Sequence, residues 1–356
     1  MPSFTPTYSS GHDSVLTADR PARPSGTATL PRLTTTVPRE FVHRSAVSEV
    51  LLTGWESDPG PWGDRPGRPD AYVVTAQWPR GHALFAPAGG YQDPMLLIES
   101  VRQVGSLLAH AEYGVPFGHQ FLMWDMSFTT TPEALAVSPT ATEVELRTVC
   151  GDVVRRGGKL VSMRYEVTVW RDGAPLATAR AGFNCIAPAV HRRLRAGRPT
   201  TTTQAPPPAI APAEVGRIDP RDVVLAATGG TDGAHSAGAA DRTTGADRTA
   251  AAAHRWELRV DTGHPILFDH PVDHAPGMVL LEAARQAARA VTGLPDALPI
   301  SLDSTFARYA ELDSPCWIEA VAGRPDAAGD VPVRVRGTQA AETVFTADVV
   351  LRPAGG

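Results

Sequence analysis

The chain has 356 residues, 42% hydrophobic and 20% charged, the proportions of an ordinary globular protein with room for about two domains. A formal net charge of -5 supplies no basic field, which argues against a nucleic-acid partner. No apolar run approaches the ~18 residues that a membrane span needs, and Cys150, Cys185 and Cys316 lack CxxC spacing. They are expected as reduced residues of a cytoplasmic protein.

Residues 1–38 are rich in Ser, Thr and Pro and carry no apolar h-region, so they read as a disordered tail rather than a signal peptide. A first unit then runs over 39–195. It contains the strand AYVVTAQW (71–78), an apolar helix within PMLLIESVRQVGSLLAHAEYGVP (94–116), and Val- and Thr-rich strands at 141–150, 160–170 and 174–187. RDG at 171–173 is a hairpin turn signal. A Pro-rich linker covers 196–213. The second unit, 214–356, carries a low-complexity insertion at about 228–253, expected to be disordered. Its helix, GMVLLEAARQAARAVTGLP (277–295), precedes the strands PCWIEAVAG, VPVRVRGTQ and ETVFTADVVLR.

The two units repeat each other. Glu99, Arg102 and Gln103 align with Glu282, Arg285 and Gln286 at an offset of 282 − 99 = 183. VHRSAVSEVLL (42–52) matches VGRIDPRDVVL (215–225) at 217 − 44 = 173, and WDMSF (124–128) matches LDSTF (302–306) at 303 − 125 = 178. Three matches in one order indicate a duplicated domain. One long helix against a mostly antiparallel sheet is an α+β layer architecture, the hotdog arrangement, so the chain is expected to be a tandem double hotdog.

At ~100° per residue, Glu282, Arg285, Gln286 and Arg289 fall within an arc of roughly 100°, and Glu99, Arg102, Gln103, Ser106 and His110 share the corresponding arc. A single such helix reads as amphipathic, with a surface Glu–Arg pair worth about 0.3–0.5 kcal/mol. The narrowness of the arc and its recurrence in both copies favour a partly buried site instead. HAPGM (274–278) and QDPM (92–95) place Gly277 and Met278, or Asp93 as an N-cap, at helix starts whose free N–H groups suit an oxyanion or a phosphate. Histidines precede each helix: His82 in the first unit, and His264, His270 and His274 in the second. Their spacing matches no zinc pattern, and no metal or cofactor is expected.

HPILFDHPVDHAPGMVLLEAARQ, FARYAELDSPCWI, QDPMLLIESVRQVGSLLAHAEYGVPFGHQFLMWDMSF and FNCIAPAVHRRLR resemble the A-factor biosynthesis (AfsA-type) hotdog family over most of 38–195 and 214–350. More distantly, PGMVLLEAARQ resembles the helix start of β-hydroxyacyl carrier-protein dehydratases. The family resemblance implies an acyltransferase. It would join a β-ketoacyl thioester, on acyl carrier protein or CoA, to dihydroxyacetone phosphate as a precursor of γ-butyrolactone-type signals that control antibiotic production. On that basis Glu282, or Glu99, with His274 would be the base. Gly277 and Met278 would hold the oxyanion, and Arg285 or Arg102 the phosphate. Gln103, Gln286, His82, His264, His270 and Asp93 would complete the substrate site. Gln92 departs from the family pattern, which has His there, so the second unit is favoured as the active one. A thioesterase or dehydratase, or a non-catalytic acyl-binding regulator, remains an alternative. The chain is expected as a pseudo-dimeric monomer or a homodimer.

Overall fold

The computed structural model describes residues 35–58, 70–199, 205–228 and 253–354. The expected disordered tail up to residue 34, and nearly all of the expected insertion, lie outside the described residues. Val37, expected within the tail, is buried and donates its N–H to Leu52 O at 3.0 Å.

Among the described residues, twelve strands form one continuous antiparallel sheet. In chain order they are β1 (Leu52–Ser57), β2 (Asp70–Trp78), β3 (Gln120–Thr130), β4 (Thr142–Arg156), β5 (Lys159–Arg171), β6 (Ala174–Ile186), β7 (Leu225–Ala227), β8 (His254–Leu258), β9 (Leu298–Phe306), β10 (Cys316–Ala322), β11 (Val331–Gln339) and β12 (Glu342–Arg352). Their lateral order is β1-β2-β4-β5-β6-β3-β9-β12-β11-β10-β8-β7. Read from the centre outwards, this is the same six-strand arrangement twice. β3 and β9 join the halves, with Asp125 opposite Thr305 and Thr129 opposite Ser301. Ser304 adds a side-chain bond to Met126 O at 2.7 Å.

Alternation explains why the sheet has one dry face. In β4 and β11, buried and exposed residues alternate along most of the strand, as in antiparallel sheets with one face on a core. The β5–β6 hairpin turns at Asp172 and Gly173, both at positive φ (51° and 79°), the geometry of a two-residue type I′ turn.

Two long helices pack on the dry face: α1 (Pro94–Ala111) and α3 (Gly277–Thr292). A short α2 (Pro188–Leu194) follows the first half. Asp93 caps α1, accepting from Met95 N at 2.9 Å, and Pro94 occupies its first turn. α3 has Pro276 at its N-cap position, with no side-chain cap, and ends on the left-handed Gly293 (φ 65°). Both polar stripes are inside, since Glu99, Gln103, Glu282, Arg285 and Gln286 are all buried.

Gly105 lets α1 approach the sheet. A Cβ there would lie 2.6 Å from the Tyr165 hydroxyl, which donates to Val101 O at 2.8 Å. Gly105→Ala should therefore destabilise the fold. Overpacking of about 1–3 kcal/mol is set against about 1 kcal/mol of gained helix propensity, and urea denaturation would measure the difference.

Candidate active site

Each helix carries its Glu in a cage of donors, and the two cages match. Glu99 accepts from Arg44 (Nε 3.0 Å, Nη2 2.7 Å), Arg102 (Nε 2.9 Å, Nη2 2.7 Å) and Gln103 (2.6 Å). Glu282 accepts from Arg217 (Nε 3.1 Å, Nη2 2.7 Å), Arg285 (2.5 Å) and Gln286 (2.6 Å). Gln103 ties its cage to Leu51 N and Glu49 O, and Gln286 ties its own to Val224 N and Asp222 O. Arg44 and Arg217 were not singled out by the helix pattern, although the upstream repeat aligns them.

His82 and His264 are also a matched pair. The Nδ1 of His82 accepts from Leu84 N and Phe85 N, and that of His264 accepts from Ile266 N and Leu267 N. Their Nε2 atoms face Glu49 (3.4 Å) and Asp222 (3.2 Å). Both rings bracket turns and lie outside the cavity described next, as do Gln103 and Gln286. These four were expected to touch substrate. The structure places them in support of the backbone.

The halves differ at the helix starts. Arg285 spans to the other half, where its Nη1 donates to both oxygens of Asp93 at 2.7 and 2.6 Å, and only 2% of its side chain is exposed. The corresponding place before α3 is Pro276, which has no carboxylate. Arg102, with 22% of its side chain exposed, therefore opens on a cavity of about 530 Å³. His43, Arg44, His270, His274, Gly277 and Met278 share that cavity with Phe121, Met123, Phe183, Leu267 and Phe306.

This arrangement corrects the expected grouping of His274, Glu282 and Arg285. His274 and the start of α3 face Arg102 of the first half, while Glu282 and Arg285 are closed off with Asp93. Six residues along a helix separate its start from its Glu by about 9 Å. Asp93 at the start of α1 instead meets Arg285 of α3, and the start of α3 shares the cavity with Arg102 of α1. Asp93 is an occupant of the closed position, and Glu99 and Glu282 are fully engaged by donors rather than free as bases.

Three histidines remain at the cavity. His274 Nδ1 donates to Asp273 Oδ1 at 2.7 Å, which leaves Nε2 as the acceptor nitrogen. Burial acts to raise the Asp273 carboxyl, but hydrogen bonds from His274 and Arg195 hold it down at about 2. Arg195, just past α2, reaches Asp273 Oδ2 (3.1 Å) and Asp273 O (2.6 Å), grips Glu311 (2.7 and 2.6 Å), and lies 4.1 Å over the Tyr309 ring. Tyr309 in turn meets the His274 ring edge-on at 4.6 Å. Neither Asp273 nor Arg195 was anticipated. Asp273 is adjacent to a candidate His, and Arg195 closes the family-like stretch FNCIAPAVHRRLR, which gave it no role of its own.

His43 is the second. It follows a 3-10 turn (Arg39–Val42) at φ 53° and stacks flat on Phe121 at 4.8 Å. Its Nε2 lies 2.8 Å from His110 Nε2, and His110 Nδ1 donates to Val115 O at 2.6 Å. Burial, then Arg102, His110 and His270, push His43 down to about 3, so it is neutral. The other half has Gly216 and Gly293 at these two positions, both left-handed. His270, the third, sits at the exposed end of the cavity, 3.4 Å from Asp269.

The two cages titrate in opposite directions. Burial acts to raise Glu99, but Arg102 and Arg44 outweigh it and hold it at about 2. Burial raises Glu282 to about 7 against Arg217, with Asp93 adding to the rise. The Glu282 position therefore takes up a proton in the folded state between its ordinary 4.5 and 7, and its contribution to stability declines as pH rises through that window. Glu99 contributes above 4.5, and that contribution is lost as pH falls toward 2. Glu282→Gln should reduce a decline of up to about 3 kcal/mol between pH 5 and 8, read from urea midpoints at each pH, and the part due to Asp93, whose carboxyl burial also raises, should remain.

Among the described residues there is no group of three or more His, Cys, Asp and Glu placed to hold a metal ion, and no helix is long and apolar enough to cross a membrane.

Comparison with known proteins gives the lineage. The chain is 47% identical over 315 residues to the 2-oxo-3-(phosphooxy)propyl 3-oxoalkanoate synthase of Streptomyces virginiae, covering 88% of this chain and 97% of that protein. It is 39% identical over 311 residues to the protein of the same name from Streptomyces coelicolor, covering 87% and 89%. Among solved structures, the 12:0-ACP thioesterase of Umbellularia californica is 11% identical with a TM-score of 0.43, covering 79% of this chain and 94% of that one. The A-factor biosynthesis hotdog domain matches residues 26–187 and again 200–354, and the chain belongs to that family.

Proposed function

We propose that this chain transfers a β-ketoacyl group from a thioester, on acyl carrier protein or CoA, to the hydroxyl of dihydroxyacetone phosphate. The product is a 2-oxo-3-(phosphooxy)propyl 3-oxoalkanoate, a precursor of a γ-butyrolactone-type signal, made in the cytoplasm. The observation that carries this reading is 47% identity, over nearly the whole length of both chains, to a synthase named for that product. The cavity supplies suitable chemistry.

The acyl chain lies along the apolar wall of Phe121, Phe183, Leu267 and Phe306. His274 Nε2 takes the acceptor's hydroxyl proton, with Asp273 holding the ring in the required tautomer, a contribution of about 10²–10⁴ in rate. The freed oxygen attacks the thioester carbonyl carbon. Charge on the carbonyl oxygen is met by the N–H groups of Gly277 and Met278, which have no acceptor within their own helix. The C–S bond then breaks, and the departing thiolate recovers the proton from His274.

Two hotdog halves in one sheet give the chain its own pseudo-dimer, so the cavity is complete within a single chain. Purified protein given a β-ketoacyl thioester and dihydroxyacetone phosphate should release thiol and form the ester phosphate in equal amounts, read by mass spectrometry. Thiol release that ignores dihydroxyacetone phosphate would make the protein a thioesterase and refute the reading.

A further inference from the structure

The closed half shows what the open half lacks. Asp93, Glu99 and Arg102 stand at the same relative places as Pro276, Glu282 and Arg285: the helix cap, six residues on and nine residues on. In the closed half both oxygens of Asp93 sit on Arg285 Nη1 at 2.7 and 2.6 Å. In the open half Arg102 spends Nε and Nη2 on Glu99, and Nη2 also on Val42 O at 3.1 Å. Among the described residues, its Nη1 has no acceptor, and the guanidinium lines the cavity.

We infer that Arg102 Nη1 is a phosphomonoester subsite, and that Asp93 is a built-in carboxylate occupying the duplicate of that subsite. The inference deepens the proposed function by giving the acceptor's phosphate its place, one per chain. Three asymmetries between the halves agree on which side is kept open. His43 faces the cavity where the other half has Gly216. His110, which supports His43, is replaced there by Gly293. The cap is Pro276 on the open side and Asp93 on the closed side. The neutral His43 ring adds no competing cation beside Arg102, and among the described residues only Glu99 lies within ion-pair distance of the guanidinium. Asp269 also lines the cavity and acts on Arg102 from farther away, with its oxygens accepting from Ser45 N and Ala46 N.

The test converts the open half into the closed one. Pro276 has φ -57° and ψ 150°, near the φ -69° and ψ 123° of Asp93, so Pro276→Asp can place a carboxylate as Asp93 does. Pro276→Asn supplies an equivalent helix cap without the charge. Binding of inorganic phosphate to the full chain is read by titration calorimetry. Wild type and Pro276→Asn should bind one phosphate per chain. Pro276→Asp should bind it about 10-fold or more weakly while melting no lower than Pro276→Asn.

Arg102→Gln should lose phosphate binding as well. In turnover, the KM for dihydroxyacetone phosphate should rise in Pro276→Asp relative to Pro276→Asn, with the KM for the thioester unchanged. Equal phosphate affinity in the two Pro276 variants would overturn the inference. So would a rise confined to the thioester KM, which would assign the anion to the phosphodiester of a carrier's arm. Phosphate binding needs no turnover. If it follows this pattern while no ester phosphate forms, the proposed function fails and the subsite stands.

Discussion

Replacing His274 by Asn should lower kcat by about 10²–10⁴ and leave the thermal midpoint nearly unchanged. The ring lines the cavity with 23% of its side chain exposed, so its loss leaves no buried void. Among the described residues its hydrogen bond is to Asp273, which keeps Arg195 as a partner in the variant. Asn cannot accept a proton at neutral pH, so the step that depends on it slows while binding of both substrates persists. Steady-state kinetics with a thermal melt would check this. An unchanged kcat would remove His274 from the reaction. Arg195→Met should act through Asp273 on the same step and lower kcat, because it removes a guanidinium that, together with the His274 hydrogen bond, holds the Asp273 carboxyl low and in place.

Arg285→Met is expected to be the most destabilising single change, at about 3–5 kcal/mol. It leaves Asp93 buried without its cation and removes one of the two guanidinium groups on Glu282. Adding Asp93→Asn should recover part of the loss, because the second change takes away the stranded charge and keeps the helix cap. Arg102→Met should cost less. Its side chain is partly exposed, and Glu99 retains Arg44. Urea denaturation of the two single variants and the double variant would measure the differences. A loss below about 1 kcal/mol for Arg285→Met would mean that the closed position contributes nothing to the fold.

The stripe of Glu, Arg and Gln was legible because helical period and duplication both mark it. The hairpin at Asp172 and Gly173 was legible from local turn chemistry. β3 and β9 were visible only as the matching stretches WDMSF and LDSTF. Their pairing joins residues some 170 positions apart, and no local preference encodes it. Which residues share the cavity is not legible in the sequence for a related reason. His274, Glu282 and Arg285 are neighbours in sequence, and sequence proximity suggested one constellation. The folded duplication instead completes each helix start with the opposite helix. The differences between the copies carried the missing signal: His43 against Gly216, His110 against Gly293 and Asp93 against Pro276. Likeness between the copies identified the cages, and unlikeness identified which end is open.

A crystal structure of the chain with an unreactive β-ketoacyl thioether and glycerol 3-phosphate would locate the reaction directly. The thioether carbonyl should lie beside His274 Nε2 and the first turn of α3, and the phosphate should lie on Arg102, with Arg285 still paired to Asp93. Either ligand bound at Arg285 in place of Asp93, or a cavity that takes up neither, would contradict this assignment.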